Sequence, residues 1–215
     1  MDDYITPHAR SVALLTIDLQ RDFSLAGAVA EITGTSAVVP QVRLLVEAFR
    51  RSQRPVIHVV RLYCADGSNA DACRRQAIER GLHLVVPGSE GAELVDEIKP
   101  SSTTRLDSAQ LLAAKLQKIG PIEWIVYKPR WGAFYQTALE DHLRHLGVNT
   151  VAICGCNFPN CPRATVIEAS ERDFRIILAS DATSGISELG VAEVAKMGIK
   201  VMTAVQIVSW LEKAD

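Results

Sequence analysis

Two hydrophobic periods alternate along this chain. Short runs that are apolar on both faces recur at residues 11–17 (SVALLTI), 56–61 (VIHVVR), 124–127 (WIVY), 150–154 (TVAIC), 175–179 (RIILA) and 200–202 (KVM). Runs of this kind, rich in β-branched residues, predict buried strands of a parallel sheet. Between them the spacing turns helical. Val39, Val42, Leu45, Val46 and Phe49 mark a helix over 38–52, and charged residues dominate a second over 70–80. Further helices are predicted over 107–118, 131–146, 162–173, 184–197 and 205–213, several of them closed by glycine or proline. Regular strand–helix alternation predicts an α/β protein, a three-layer α/β/α arrangement around a mostly parallel six-stranded sheet. One domain spanning 1–215 is expected, without internal repeats or a linker.

Composition narrows the function classes. With 48% hydrophobic and 22% charged residues, the chain reads as an ordinary soluble globular protein. A net charge of −2 offers no footprint for nucleic acid, and no basic run suggests a membrane surface. The opening MDDYITPHAR has neither a basic n-region nor an apolar h-region, so no signal peptide is expected. The 5 cysteines, an odd number, fit no small disulfide framework. A cytoplasmic, reducing setting is therefore expected, in which a reactive thiol stays free.

Candidate chemistry gathers at the ends of the strands. In open parallel sheets, ligands bind beyond the carboxyl ends. Asp18 closes the first strand, Lys128 closes the strand at 124–127, and Cys161 lies in the turn after the strand at 150–154. Any one of these has an ordinary structural explanation as a cap, a snorkelling cation or a core thiol. Together they supply a carboxylate base, a fixed cation and a nucleophile, which is what attack on an amide requires. With Pro162 as a first helical residue, Cys161 meets the positive end of a helix macrodipole, which favours its thiolate.

The segments LLTIDLQRDF, VYKPRWGAFYQTALEDHLRHLGV and ICGCNFPNCPRAT carry the order Asp–Lys–Cys, and in this the chain resembles the isochorismatase-like cysteine hydrolases. VPGSEGAELVDEIKP and DFRIILASDATSG add to the likeness, which spans nearly the whole chain except about residues 101–123, an expected insertion. The resemblance implies the isochorismatase-like, Rossmann-like hydrolase fold and hydrolysis of a C–N bond in a small amide, ureido or lactam compound. It implies Cys161 as nucleophile, Asp18 as base and then acid, and Lys128 as the orienting cation, with a thioester intermediate. It also implies an oxyanion hole from the backbone N–H groups of Asn157 and Cys161, a cis peptide between Cys156 and Asn157, and a homo-oligomer. The turn Phe158-Pro159-Asn160 departs from the family's Thr-containing pattern.

Several residues are candidates for substrate contact. Phe23, Trp131 and Phe134 flank the reactive positions and offer apolar walls, and Arg105 in the insertion, like Arg61 and Arg130, could pair with a substrate carboxylate. No metal or other cofactor is expected. The Asp-x-His stretch that nicotinamidases carry after the second strand is replaced by HVVRLYCADGSNADAC. Cys154, Cys156 and Cys161 lack paired C-x-x-C spacing, and His142 with His145 reads as a solvated helix face. The rival to a hydrolase is a non-hydrolytic small-molecule-binding or redox protein using Cys161 and Cys156 as a thiol pair.

Overall fold

The structure, a computed structural model, describes residues 3–213. Seven strands form one sheet: β1 Val12–Ile17, β2 Val56–Val60, β3 Gln117–Gly120, β4 Glu123–Tyr127, β5 Thr150–Gly155, β6 Arg175–Thr183 and β7 Lys200–Met202. Their order across the sheet is β3-β4-β2-β1-β5-β6-β7, and only β3, an edge strand, runs antiparallel. The helices are α1 Arg21–Ser24, α2 Thr35–Arg51, α3 Ala72–Glu79, α4 Ser108–Leu112, α5 Leu139–His145, α6 Cys161–Ser170, α7 Glu188–Lys196 and α8 Ala204–Glu212. No helix among the described residues is long and apolar enough to cross a membrane.

Alternation along the buried strands builds the three layers. Leu14, Val56, Val60, Ala152 and Ile177 point to one face, where α2 and α8 cover them with Val42, Leu45, Phe49, Ile207 and Leu211. Their neighbours Ala13, Leu15, Ile57, Val151 and Ile176 point to the other face, against Leu143 of α5, Val166 of α6 and Val194 of α7. Period-2 alternation explains why each strand reads as uniformly apolar: both faces are covered.

The structure departs from expectation in three places. The sheet has seven strands where six are expected, because residues 107–118 do not form one helix. The Asp107 side chain caps α4 at the Gln110 N–H, 3.0 Å away, but Ala114 at φ 58° ends the helical path. Gln117 then ties back to both Asp107 N and Arg105 O at 2.8 Å, which turns the chain into β3.

Next, residues 131–138 are irregular, and only α5 remains of the helix expected over 131–146. The competing partners lie on α6: Thr165 Oγ1 accepts from the Ala133 N–H at 3.2 Å and Glu168 Oε2 from the Phe134 N–H at 2.8 Å. Gly132 is needed there, since a Cβ would lie 2.1 Å from the Glu168 carboxyl carbon.

Finally, no cis peptide occurs among the described residues, so Cys156–Asn157 is trans. Hydrogen bonds on either side hold the trans turn, from Cys156 N to Ile17 O at 2.8 Å and from Phe158 N to Ser184 O at 2.7 Å.

Candidate active site

Strand β1 lies at the centre of the sheet, flanked by β2 and β5, and the topology reverses around it. At its carboxyl end the backbone of Asp18 adopts φ 51°, while its N–H continues the ladder to Val59 O at 2.9 Å. That left-handed conformation is uncommon for a residue with a Cβ and is most tolerated by Asn and Asp. On the other side, Gly155 ends β5 at φ 117°, and a Cβ there would sit 2.3 Å from Ile17 O. Only glycine lets β5 pass so close to β1 before the turn that delivers Cys161 as the first residue of α6, with Pro162 second.

Lys128 follows β4, separated from β1 by β2, so its side chain must reach across the end of an intervening strand. It does so fully buried, with Nζ 2.9 Å from Asp18 Oδ2, 3.2 Å from Cys161 Sγ and 3.2 Å from Arg130 O. Asp18 is 4% exposed, and its second oxygen, Oδ1, is buried without a hydrogen-bond partner. An unsatisfied buried carboxylate oxygen costs about 1–3 kcal/mol, more when charged, so its retention beside a pocket points to use. Lys128 Nζ thus bridges the Asp18 carboxylate and the Cys161 sulfur.

Electrostatics overturn one expectation. Burial pushes the Cys161 thiol up to about 12, and the negative charge of Asp18 adds to that; Lys128 offsets only part. The thiol is therefore protonated in the resting site, despite its place at a helix N-terminus. A desolvated thiol next to a carboxylate loses more than the helix terminus and one lysine return. Cys156 behaves alike, its thiol raised to about 12 mainly by burial.

These groups open onto a narrow pocket whose walls include Phe23, Ile32, Tyr63, Trp131, Asn157 and Asn160. Of the residues proposed from the sequence as apolar walls, Phe23 and Trp131 line this pocket. Phe134 does not: it is buried in the lower layer with its ring 5.6 Å from Phe174. The irregular turn that replaces the expected helix points it into the core. Arg105 also lies away from the pocket, exposed, and donates to Ser102 O and Thr104 O at 3.0 Å. Neither the Asn157 nor the Cys161 N–H is engaged by an acceptor among the described residues, so both backbone donors remain free at the turn.

One supporting cluster escapes the sequence reading. The buried Arg61 guanidinium pairs with Asp71 at 2.6 Å, with Tyr63 Oη at 2.9 Å, and with the carbonyl oxygen of Lys128 at 2.8 Å. Gln20, fully buried, brackets the same strand end through Arg61 N and O at 2.8 and 2.7 Å. Asp71 directly precedes α3 but makes no side-chain cap there, and its role shows only in the pairing with Arg61.

Arg61 also bears on whether a metal could sit after the second strand, where the Asp-x-His stretch is missing. The region presents a guanidinium with its carboxylate already committed, and no group of three or more His, Cys, Asp or Glu is assembled to hold an ion among the described residues. Cys154 is buried within β5, its thiol facing Leu15 O at 3.7 Å. These residues do not fit a metal site.

A doubly covered, mostly parallel sheet with an acid, a lysine and a cysteine gathered beyond its carboxyl edge defines a class of α/β proteins with a cysteine on a strand–helix turn. The chain belongs to the isochorismatase family: the Isochorismatase domain model matches residues 12–108 and 112–206. Among relatives, it is 30% identical over 200 residues to a probable inactive nicotinamidase of Arabidopsis thaliana, covering 90% of this chain and 93% of that one. An isochorismatase family protein from Desulfovibrio vulgaris has a similar crystal structure, with a TM-score of 0.80 and 32% identity over 94% of this chain and 98% of that one. N-carbamoylsarcosine amidase from Thermoplasma acidophilum superimposes with a TM-score of 0.70 at 25% identity, over 90% and 96% of the two chains.

Proposed function

We propose that this protein is a cysteine-dependent hydrolase of a C–N bond in a small amide, ureido or lactam compound. The observation that carries the reading is a buried lysine held 2.9 Å from Asp18 and 3.2 Å from Cys161, beside a carboxylate oxygen with no partner. Cys161 Sγ adds to the substrate carbonyl carbon while Asp18 Oδ1 takes the thiol proton. The carbonyl π bond opens onto oxygen, and the free N–H groups of Asn157 and Cys161 donate to that oxyanion. As the tetrahedral adduct collapses, the C–N bond breaks and the proton returns from Asp18 to the leaving nitrogen. Water, deprotonated by the same carboxylate, then attacks the thioester and releases the carboxylic acid and the thiol.

A thiol held near 12 suits this order of events. The proton leaves sulfur only as the S–C bond forms, so Asp18 must act in the same step. Lys128 holds its ammonium between the carboxylate and the sulfur, 2.9 Å from one and 3.2 Å from the other. The likeness to an N-carbamoylsarcosine amidase supports a C–N bond as the target. A second reading has its own support in the Arabidopsis relative, described as probably inactive as a nicotinamidase: a binding protein that kept the pocket without turnover. Ammonia or amine release from a panel of primary amides, ureido acids and lactams separates the two. Release that falls by about 10³-fold or more in Cys161→Ala is expected. No release from any member of the panel would favour the binding reading.

A further inference from the structure

The charges around the pocket do not cancel. Its charged lining residues are Asp18 and Asp71 on one side of the ledger and Arg61, Arg74, Lys128 and Arg130 on the other. Two tight pairs remove most of them, Lys128 with Asp18 at 2.9 Å and Arg61 with Asp71 at 2.6 Å. Arg130 approaches Asp71 only at 4.0 Å, keeps 43% of its side chain exposed, and otherwise touches the carbonyl oxygens of Pro129 and Asn69. Arg74 has no carboxylate within ion-pair reach among the described residues; its guanidinium stands 5.9 Å from the ring of Phe23. Two guanidinium groups are therefore left over at the pocket, and its net charge is positive.

Their backbones are fixed to the reactive centre. The Arg130 carbonyl accepts from Lys128 Nζ at 3.2 Å and from Arg61 at 3.3 Å. Arg74 N donates to Asp71 O at 3.0 Å in the first turn of α3. A positive lining in a partly desolvated cleft draws anions in, and a guanidinium matches the planar geometry of a carboxylate. Phe23 and Trp131 flank the same space with flat apolar surfaces.

Building on the hydrolase reading, we infer that the substrate is a small amide that also carries a carboxylate, with its scissile carbonyl at Cys161 and its anionic end between Arg74 and Arg130. Neutral amides of the same size enter without that anchor and bind less well. Arg61 takes no part in this contact, since Asp71, Tyr63 and two carbonyl oxygens already occupy it.

The test uses succinamate, a primary amide with a carboxylate two methylenes away, and its uncharged methyl ester. Binding of each to the full-length Cys161→Ala protein is measured by calorimetry, so that turnover plays no part. Succinamate should bind about tenfold tighter than the ester at low salt, and added salt should erase the difference. Arg74→Gln combined with Arg130→Gln should bring the two to parity at unchanged melting temperature, while the Lys versions of both positions keep part of the preference. Equal binding of acid and ester, or a preference that survives the double Gln variant, would overturn the inference. Ammonia release by the unmodified protein is scored separately. Selective binding without release from either compound would leave the anion site standing and remove the hydrolase reading. Release with no selectivity would do the reverse.

Discussion

Two buried carboxylate clusters on this sheet use nearly the same parts and end differently. Glu123, at the start of β4, is 2% exposed and meets the Arg50 guanidinium through both oxygens, at 2.6 and 2.8 Å. Its Oε1 also meets His58 Nε2 at 2.8 Å, and His58 Nδ1 meets Thr16 Oγ1 at 2.8 Å. No buried side-chain polar atom in that chain of contacts is left without a partner. At the carboxyl end of the sheet, Asp18 and Lys128 form a pair whose cation is more deeply buried than Arg50, but one carboxylate oxygen is left free and a thiol lies beside the cation. A buried charge cluster with complete partners holds strands together; one that withholds a partner and faces a pocket is available for chemistry.

Breaking each cluster should therefore give opposite results. Asp18→Asn is expected to lower turnover on a good amide substrate by ~10²–10⁴-fold with the fold intact, as for loss of a general base. Steady-state kinetics beside a thermal melt checks both halves. Glu123→Gln should leave kcat nearly unchanged but cost about 3 kcal/mol, the low end for breaking a buried pair because Arg50 keeps 27% of its side chain exposed. Denaturant unfolding measures that loss; an unaffected midpoint would show that the two clusters do not differ as described.

The pH response sharpens the contrast. Burial alone would raise the Glu123 carboxyl, and the hydrogen bonds from Arg50 and His58 more than reverse that, so its value falls below the ordinary 4.5. A depressed carboxyl contributes stability that is present above its unfolded value and lost as pH falls from there through the folded value. The melting temperature of the natural sequence should therefore fall below about pH 4.5, and fall less steeply in Glu123→Gln. A smaller effect is expected from Glu168→Ala, which frees the Phe134 N–H and loosens the turn carrying Trp131. It should cost about 1–3 kcal/mol and raise KM more than it lowers kcat.

The sequence shows the reactive end of the sheet more clearly than the parts that support it, for a physical reason. Asp18, Lys128 and Cys161 each follow an apolar run, so topology alone brings them together. Arg61 and Asp71 are ten positions apart in a polar stretch, and nothing local distinguishes a buried pair from two solvated charges. Residues 131–146 carry helical apolar spacing, yet Thr165 and Glu168 on α6 take the N–H groups that a helix would use. Glu168 reads as a solvent-facing helix residue until that tertiary contact is known. Residues 115–119 fail similarly: Gln117 contacts ten and twelve positions upstream override a continued helical period. The thiol is the subtlest miss. Its helix-start position predicts a thiolate, and only the depth of its burial beside Asp18 reverses the sign.

That reversal is also the most direct point of test. The rate of Cys161 carboxamidomethylation by iodoacetamide, followed by mass spectrometry of the Cys161 peptide, should climb with pH through 10 without reaching a plateau, as expected of a thiol raised to about 12. Because the Asp18 charge contributes to that value, Asp18→Asn should shift the profile to lower pH and label faster at pH 8 even as turnover is lost. A plateau by pH 8 in the natural sequence, or slower labelling in Asp18→Asn, would contradict a neutral thiol that gives its proton to Asp18.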